Sequence, residues 1–381
     1  MFERSVKENI EKWLYRGKVI VIYGARRTGK TTLSKQILKE QEALGKKVKY
    51  LNCELLNVKL SIETTNEMAL KSYLNDNDLV VLDEAQNISK IGHILKILVD
   101  TYPQIQIIAT GSSSFELSNQ VGEPLVGRSR EFILYPLSIG EIMTKYDLFE
   151  IGGKMDNILR YGLYPSVFDL AEEDAIEELN NITSKYLYKD ILAFDNIKNS
   201  NILLDLLRLL ALQVGNEVSF NEIGQKLGLS SMTVSKYIDL LEKCFIVFSL
   251  GSFSRNLRKE IGKSKKIYFY DLGIRNSLIA NFNQLALRTD AGFLWENFCI
   301  IERMKFNEYN KKYCNKYFWR MYSGQEIDYI EEHDGKLDAY EFKYNAGAKV
   351  KLPLKFLNTY ENTSYSIINQ DNWFEFFGHK S

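Results

Sequence analysis

Cysteine is scarce and scattered: Cys53, Cys244, Cys299 and Cys314 form no CxxC pair and have no histidine cluster beside them. That spacing speaks against a disulfide framework or a structural zinc site and fits a reducing compartment. Net charge is missing too, because 49 basic residues balance 49 acidic ones. No global field draws nucleic acid, so any such contact needs a local basic surface. No stretch approaches the roughly 18 consecutive apolar residues of a membrane span, so no membrane partner is expected. The opening MFERSVKENIEKW is charged throughout and lacks a signal-peptide run, which makes the expected setting cytoplasmic. Internal repeats and low-complexity tracts are absent as well.

What is present is a folding composition, 45% hydrophobic and 13% aromatic with only five prolines. At 381 residues the chain exceeds what one core usually holds, so two or three domains are expected.

The strongest motif is KVIVIYGARRTGKTTL, residues 18–33, where an apolar β-branched run stops at Gly24 and a helical pattern begins after Gly29. Gly24 to Thr31 fits GxxxxGK[ST] at every fixed position. Glycines let backbone N–H groups wrap a triphosphate, Lys30 reaches the β and γ phosphates, Thr31 ligates magnesium, and the helix N-terminus adds a favourable dipole. Gly24, Arg27, Thr28, Gly29, Lys30, Thr31 and Thr32 are therefore the candidate ATP contacts.

The chain then alternates as an α/β fold requires, with strands expected at KVKYLNC and at LVVLDEAQ. Asp83 ends the second run, where a carboxylate can hold magnesium through water, and Glu84 can orient the attacking water. A fourth strand, QIQIIATGSSS, places Thr110 and Ser112 at its polar end, within reach of the γ phosphate or simply making a turn. A fifth run, EFILY, follows VGRSR. Arg128 and Arg130 there are either a transition-state cation, supplied in cis or to a neighbouring subunit of a homo-oligomer, or plain surface arginines.

GARRTGKTT, LVVLDEAQ, ATGSSS, GRSREFILYPLS and YFYDLG together resemble a widespread prokaryotic group of AAA+ ATPases whose C-terminal module has no assigned function. The resemblance extends over essentially the whole chain. It implies an AAA+ core, residues 1–137, with a parallel sheet in the order 5-1-4-3-2, and a helical lid-like segment over 138–200. Arg160 is a candidate sensor arginine in that segment.

Residues 201–270 read as a winged helix. NILLDLLRLLALQVG, FNEIGQKLG and SMTVSKYIDLLEKC are three helices with a tight Gly-Leu-Ser turn before the last. The third would present Ser231, Thr233, Ser235 and Lys236 to a DNA major groove. FIVFSLGSFSRNLRKEIGKSKKIYFY then gives two strands around a basic tip. From Arg255 to Lys266 six Lys or Arg, among them Arg258 and Lys259, face one Glu. The alternative is a packing module whose charges are merely solvated.

The last segment, 271–381, opens with a helical pattern in AGFLWENFCIIERMKF, apolar at Phe293, Leu294, Phe298, Ile301 and Met304 and carrying Glu296. Beyond it lies EIDYIEEHDGKLDAYEFKYN. A two-residue Asp334-Gly335 turn would set Asp328 opposite Glu341 and Glu326 opposite Lys343. Strict alternation would put these four on one face, with Ile327, Tyr329, Tyr340, Phe342 and Tyr344 on the other. This resembles the restriction-endonuclease-like α+β fold of Holliday-junction resolvases. The resemblance implies Glu296, Asp328 and Glu341 as ligands of a second divalent metal and Lys343 as catalytic lysine, although Ile327 stands where that family often has proline. A two-faced hairpin with solvated charges explains the same alternation. Two functions follow: an ATP-hydrolysing, DNA-handling enzyme with a nuclease-like domain, or a nucleotide-dependent switch whose C-terminal module binds without cutting.

Overall fold

VIVIY and LVVLD are too short for helices and show no polar alternation, which is how strands covered on both faces read. In the computed structural model, which describes residues 2–112, 124–187, 200–254, 265–321 and 324–378, both are strands with every residue buried. The first sheet comprises β1 (Val19–Tyr23), β2 (Val48–Asn52), β3 (Leu79–Asp83), β4 (Gln106–Gly111) and β5 (Ser129–Ile133). All neighbours are parallel, in the order β2-β3-β4-β1-β5, which is the expected 5-1-4-3-2. Each fully buried Val, Ile or Leu contributes about 1.5–3 kcal/mol, so this sheet is a rigid base for the loops at its C-terminal edge. Helices α1 (Lys30–Ala43) and α2 (Ile91–Thr101) flank it.

Two compact units emerge: Met1–Leu137 with Lys243–Phe245, and Ser138–Glu242 with Ile246–Ser381. The second opens with short helices between Ile139 and Asn181, two of them started by capping boxes, Ser138 with Glu141 and Asp147 with Glu150. Then come α3 (Ser200–Leu212), α4 (Phe220–Leu227) and α5 (Ser231–Lys243) at the three positions expected. Leu229 N–H reaches back to the Gly224 carbonyl at 2.8 Å between α4 and α5. A Cβ on Gly224 would sit 2.5 Å from the Leu229 oxygen, so the turn closes only around glycine.

Among the described residues the remaining strands are β6 (Glu217–Val218), β7 (Val247–Ser252), β8 (Lys265–Phe269), β9 (Asn315–Arg320), β10 (Glu326–His333), β11 (Lys336–Phe342) and β12 (Thr363–Ile368). They form one sheet in the order β12-β11-β10-β9-β7-β8-β6. The boundary expected at 270/271 therefore runs through a continuous sheet, because β7 pairs with β9 in parallel through Gly251–Tyr317 and Ser252–Phe318.

The hairpin register is the expected one: Tyr329 pairs with Tyr340 and His333 with Lys336, around Asp334 and Gly335 with φ of 48° and 73°. Positive φ at both turn residues is what a type I′ turn requires. Strict alternation fails in one place. A register shift against β9 falls between Ile327 and Ile330, and both residues enter the same apolar cluster with Phe253, Trp319 and Phe356. The bulge re-aims the side chains between them, Asp328 included.

Helix α6 (Ala291–Tyr309) is pinned to the sheet by its polar residues. Asn297 bonds both the N–H and the carbonyl of Phe269 at 2.8 Å, and Arg303 forks onto Glu331. Phe293, expected in the helix core, is instead 38% exposed.

Candidate functional site

The first site lies where β1, β3 and β4 end. Gly24 approaches the chain after β5 so closely that a Cβ would lie 2.2 Å from the Leu134 oxygen. Lys30 is buried, and its ammonium donates to the Gly24 and Ala25 carbonyls, each at 2.8 Å. Thr31 Oγ1 donates to Asp83 Oδ2 at 2.7 Å, and Thr110 Oγ1 donates to Asp83 Oδ1 at 2.5 Å. Glu84 leaves β3 in the left-handed region with φ 54°, its N–H on Thr110 Oγ1 at 3.1 Å. Such a conformation in a non-glycine residue is costly and tends to mark functional positions. Ser112 is buried behind it.

Other expected contacts are placed differently. The Thr28 hydroxyl is turned inward onto the Ala25 carbonyl at 2.9 Å; Arg27, at φ 64°, and Thr32 are exposed. Arg128 precedes β5, its carbonyl bonded to Val19 at the start of β1. In a parallel sheet that is the edge opposite the loop after β1, so Arg128 does not reach the site within its own chain. It pairs with Asp100 at 2.6 Å. Arg130 stacks on Trp13, 3.9 Å from the ring centre. Arg160 is buried against the Phe282 carbonyl, Asp156 and Glu172 in the second unit.

Three residues escaped the sequence reading. Tyr50 OH donates to Asp83 Oδ2 at 2.5 Å, and its pKa is raised by burial and by that carboxylate. Gln86 Nε2 donates to Glu84 Oε2 at 2.6 Å and to Ser112 Oγ at 3.2 Å. Arg4 holds the Thr28 and Tyr135 carbonyls at 2.5 and 2.6 Å. Gln86 was within reach, since it sits two residues past Glu84 on the same turn; Arg4 was not, being linked to the loop only by folding.

The donor set fits magnesium. Asp83 is buried and takes its hydrogen bonds from three neutral hydroxyls, Thr31, Tyr50 and Thr110. A buried carboxylate held this way, beside a threonine hydroxyl, suits a hard cation bound through oxygen and water.

The second site is a cavity of about 410 Å³ in the second unit, lined by Glu296, Glu326, Asp328, Glu341 and Lys343 together with Lys266. The hairpin and α6 thus bring the expected carboxylates to one place. They do not form a metal-ligand group: among the described residues no three His, Cys, Asp or Glu are arranged to hold a metal ion. Lys266 Nζ lies 2.6 Å from Glu326 Oε1, 3.2 Å from Glu296 Oε1 and 3.9 Å from Asp328 Oδ1. Counted from the sequence as part of a basic tip, it is only 1% exposed. The period-two pattern of β8 carries the signal, because Lys266 and Tyr268 share a face and both donate to Glu296 Oε1, the tyrosine at 2.5 Å. Burial pulls the Lys266 pKa down, but Glu296, Asp328 and Glu326 outweigh it and leave it raised. Burial lifts Glu296 to about 8 even against Lys266, and burial with Asp328 lifts Glu341 to about 7. Asp328 Oδ2 accepts the Phe342 N–H at 2.9 Å, and Lys343 Nζ donates to Glu341 Oε1 at 2.6 Å.

On α5, Ser231 and Lys236 are exposed and Thr233 and Ser235 half-buried; the Thr233 N–H caps onto Ser230 Oγ at 3.1 Å. Arg255, Arg258 and Lys259 lie outside the described residues.

Residues 16–143 match the family model of an AAA domain. Residues 153–285 and 291–378 match two models described as domains of unknown function, DUF8612 and DUF4143. The chain is 25% identical over 344 residues to an uncharacterised protein of Mycobacterium tuberculosis, covering 89% of this chain and 73% of that one. It is 26% identical over 312 residues to an uncharacterised protein of Methanocaldococcus jannaschii, covering 72% and 65%. AMPPCP-bound DnaA from Aquifex aeolicus aligns at 20% identity over 62% of this chain and 86% of that one, with a TM-score of 0.28, at which the likeness carries no argument. Motif, sheet order and family model agree on a P-loop AAA-type domain in the first unit. Among the described residues no helix is long and apolar enough to cross a membrane.

Proposed function

We propose that the chain binds and hydrolyses ATP at the P-loop and uses the cycle to act on DNA. The observation that carries the reading is the Thr31–Asp83–Thr110 cluster at the strand ends, with Lys30 resting on two carbonyls. Gly24 and the loop to Gly29 wrap the phosphates, and Lys30 exchanges its carbonyls for the β and γ phosphate oxygens. Thr31 and Asp83 would hold magnesium, which supplies charge neutralisation on those phosphates. Glu84 orients water for in-line attack, and Gln86 and Thr110 set the position of its carboxylate and backbone. Thr28 supports the loop from inside. With Arg128 at the far edge, a finger arginine would come from a neighbouring subunit of a homo-oligomer.

The DNA role is supported by α4 and α5, read as a helix-turn-helix, with the strand pair β7–β8; in this winged-helix reading Thr233, Ser235 and Lys236 would contact the groove, and the basic residues Arg255, Arg258 and Lys259 of the sequence would add phosphate contacts. Steady-state ATP turnover with and without duplex DNA tests both parts. Stimulation by DNA is expected, and turnover that survives Lys30→Ala would remove the P-loop assignment.

A second reading, a nucleotide-dependent switch whose C-terminal module binds without cutting, is favoured by the engagement of Lys266 and Lys343 with the hairpin carboxylates. Nicking assays on branched and linear DNA with magnesium or manganese separate the readings: cleavage lost in Glu341→Ala and Lys343→Ala would establish a nuclease-like domain.

A further inference from the structure

We propose that Lys266 is a built-in cation of the hairpin cavity, its ammonium filling the place among Glu296, Glu326 and Asp328 that a divalent metal would take. The inference is independent of ATP turnover and goes beyond the switch reading by naming the group that replaces the metal.

Geometry carries it. Magnesium needs oxygens at about 2.0–2.1 Å and calcium at about 2.3–2.6 Å. The Glu326 and Glu296 oxygens stand 2.6 and 3.2 Å from Lys266 Nζ. An ion bridging those two oxygens from the side the ammonium occupies would overlap it. Lys266 is also built in. Its strand β8 lies between β7 and β6, where its main chain pairs with Leu250 and Glu217, and its ammonium lies 5.4 Å from the centre of the Phe318 ring. Tyr268 supplies Glu296 with a second donor on the same oxygen. Of the other acids, Asp328 Oδ2 accepts the Phe342 N–H and Glu341 Oε1 accepts from Lys343, while Glu341 Oε2 is left buried without a hydrogen-bond partner. Lysine thus does electrostatically what a divalent ion does in an acidic site: it allows several carboxylates to be buried together. It offers no Lewis-acid centre.

The probe is manganese, titrated by electron paramagnetic resonance and by thermal melting into the full chain without nucleotide. An Asp83→Asn background removes any contribution from the P-loop. With Lys266 intact, no saturable manganese sensitive to Asp328→Asn is expected, and Tm should not change. In Lys266→Met, Tm should fall without metal and rise by about 5 °C at saturating manganese. That gain should vanish in Lys266→Met combined with Asp328→Asn. Manganese bound with Lys266 intact and lost in Asp328→Asn would overturn the proposal. So would a folded Lys266→Met chain, or Lys266→Gln in its place, that gains no manganese response. If neither variant folds, the titration with Lys266 intact still decides.

Discussion

Lys30 and Lys266 are both buried, at 4% and 1% exposure, yet their surroundings suit opposite tasks. Lys30 rests on two neutral carbonyl oxygens, which a phosphate anion can displace. Lys266 is surrounded by carboxylates that already answer its charge. The acids follow the same logic in reverse. Asp83 takes hydrogen bonds from hydroxyls alone and stays able to attract a cation, whereas Asp328 shares an ammonium. The two sites thus differ in that the hydrogen bonds named for Lys30 and Asp83 are made with neutral groups, whereas those of Lys266 are made with carboxylates.

The widest separation is in catalysis. Lys30→Ala should lower ATP turnover by about 10²–10³-fold, as for loss of a donor to transition-state charge. Glu84→Gln should lower it by about 10²-fold or more while nucleotide stays bound; retention of ATP on a filter, with turnover lost, checks the pair. The contrast should invert in stability. Lys266→Met leaves buried carboxylates unanswered and should cost about 3–5 kcal/mol, against about 1 kcal/mol for Lys30→Met, which loses bonds to neutral carbonyls. Denaturant melts of the two variants decide it, and equal costs would dissolve the comparison.

Asp290 shows the acid side. It bridges Arg275 and Arg288 at 2.6 and 2.8 Å. Burial would raise its pKa, but the two arginines hold it at about 2. A carboxyl lowered this way stabilises the fold above its unfolded value near 4, and that stability is lost as pH falls toward 2. Asp290→Asn should flatten this acid limb in melts between about pH 5 and 2. The smallest effect is expected on α5: Lys236→Ala should reduce the salt slope of DNA binding by about one. An unchanged slope would leave α5 a packing element.

Legibility in the sequence divides along similar lines. Local patterns were readable: the fixed positions of the P-loop, the buried runs of β1 and β3, and the Asp334–Gly335 turn that sets the hairpin register. The bulge at Asp328 was not, since it arises from pairing with β9, a strand outside the hairpin. Lys266 was hidden for the same reason. In KSKK it looks like a basic surface, and only the packing of α6 over β8, with the Glu326 side chain of β10 reaching its ammonium, turns it inward. Arg128 stayed open between its two readings because sequence adjacency to β5 does not say at which end of the strand it lies.

The seven-stranded sheet has a practical consequence for dissecting the chain. Severing it between β8 and β9 in sequence would part β7 from β9 in space, baring a strand edge on each fragment. Unpaired edges of this kind recruit other strands. Expressed separately, residues up to 270 and from 271 onward are expected to aggregate or to find each other again, and co-expression of the two is the form in which either fragment should stay folded.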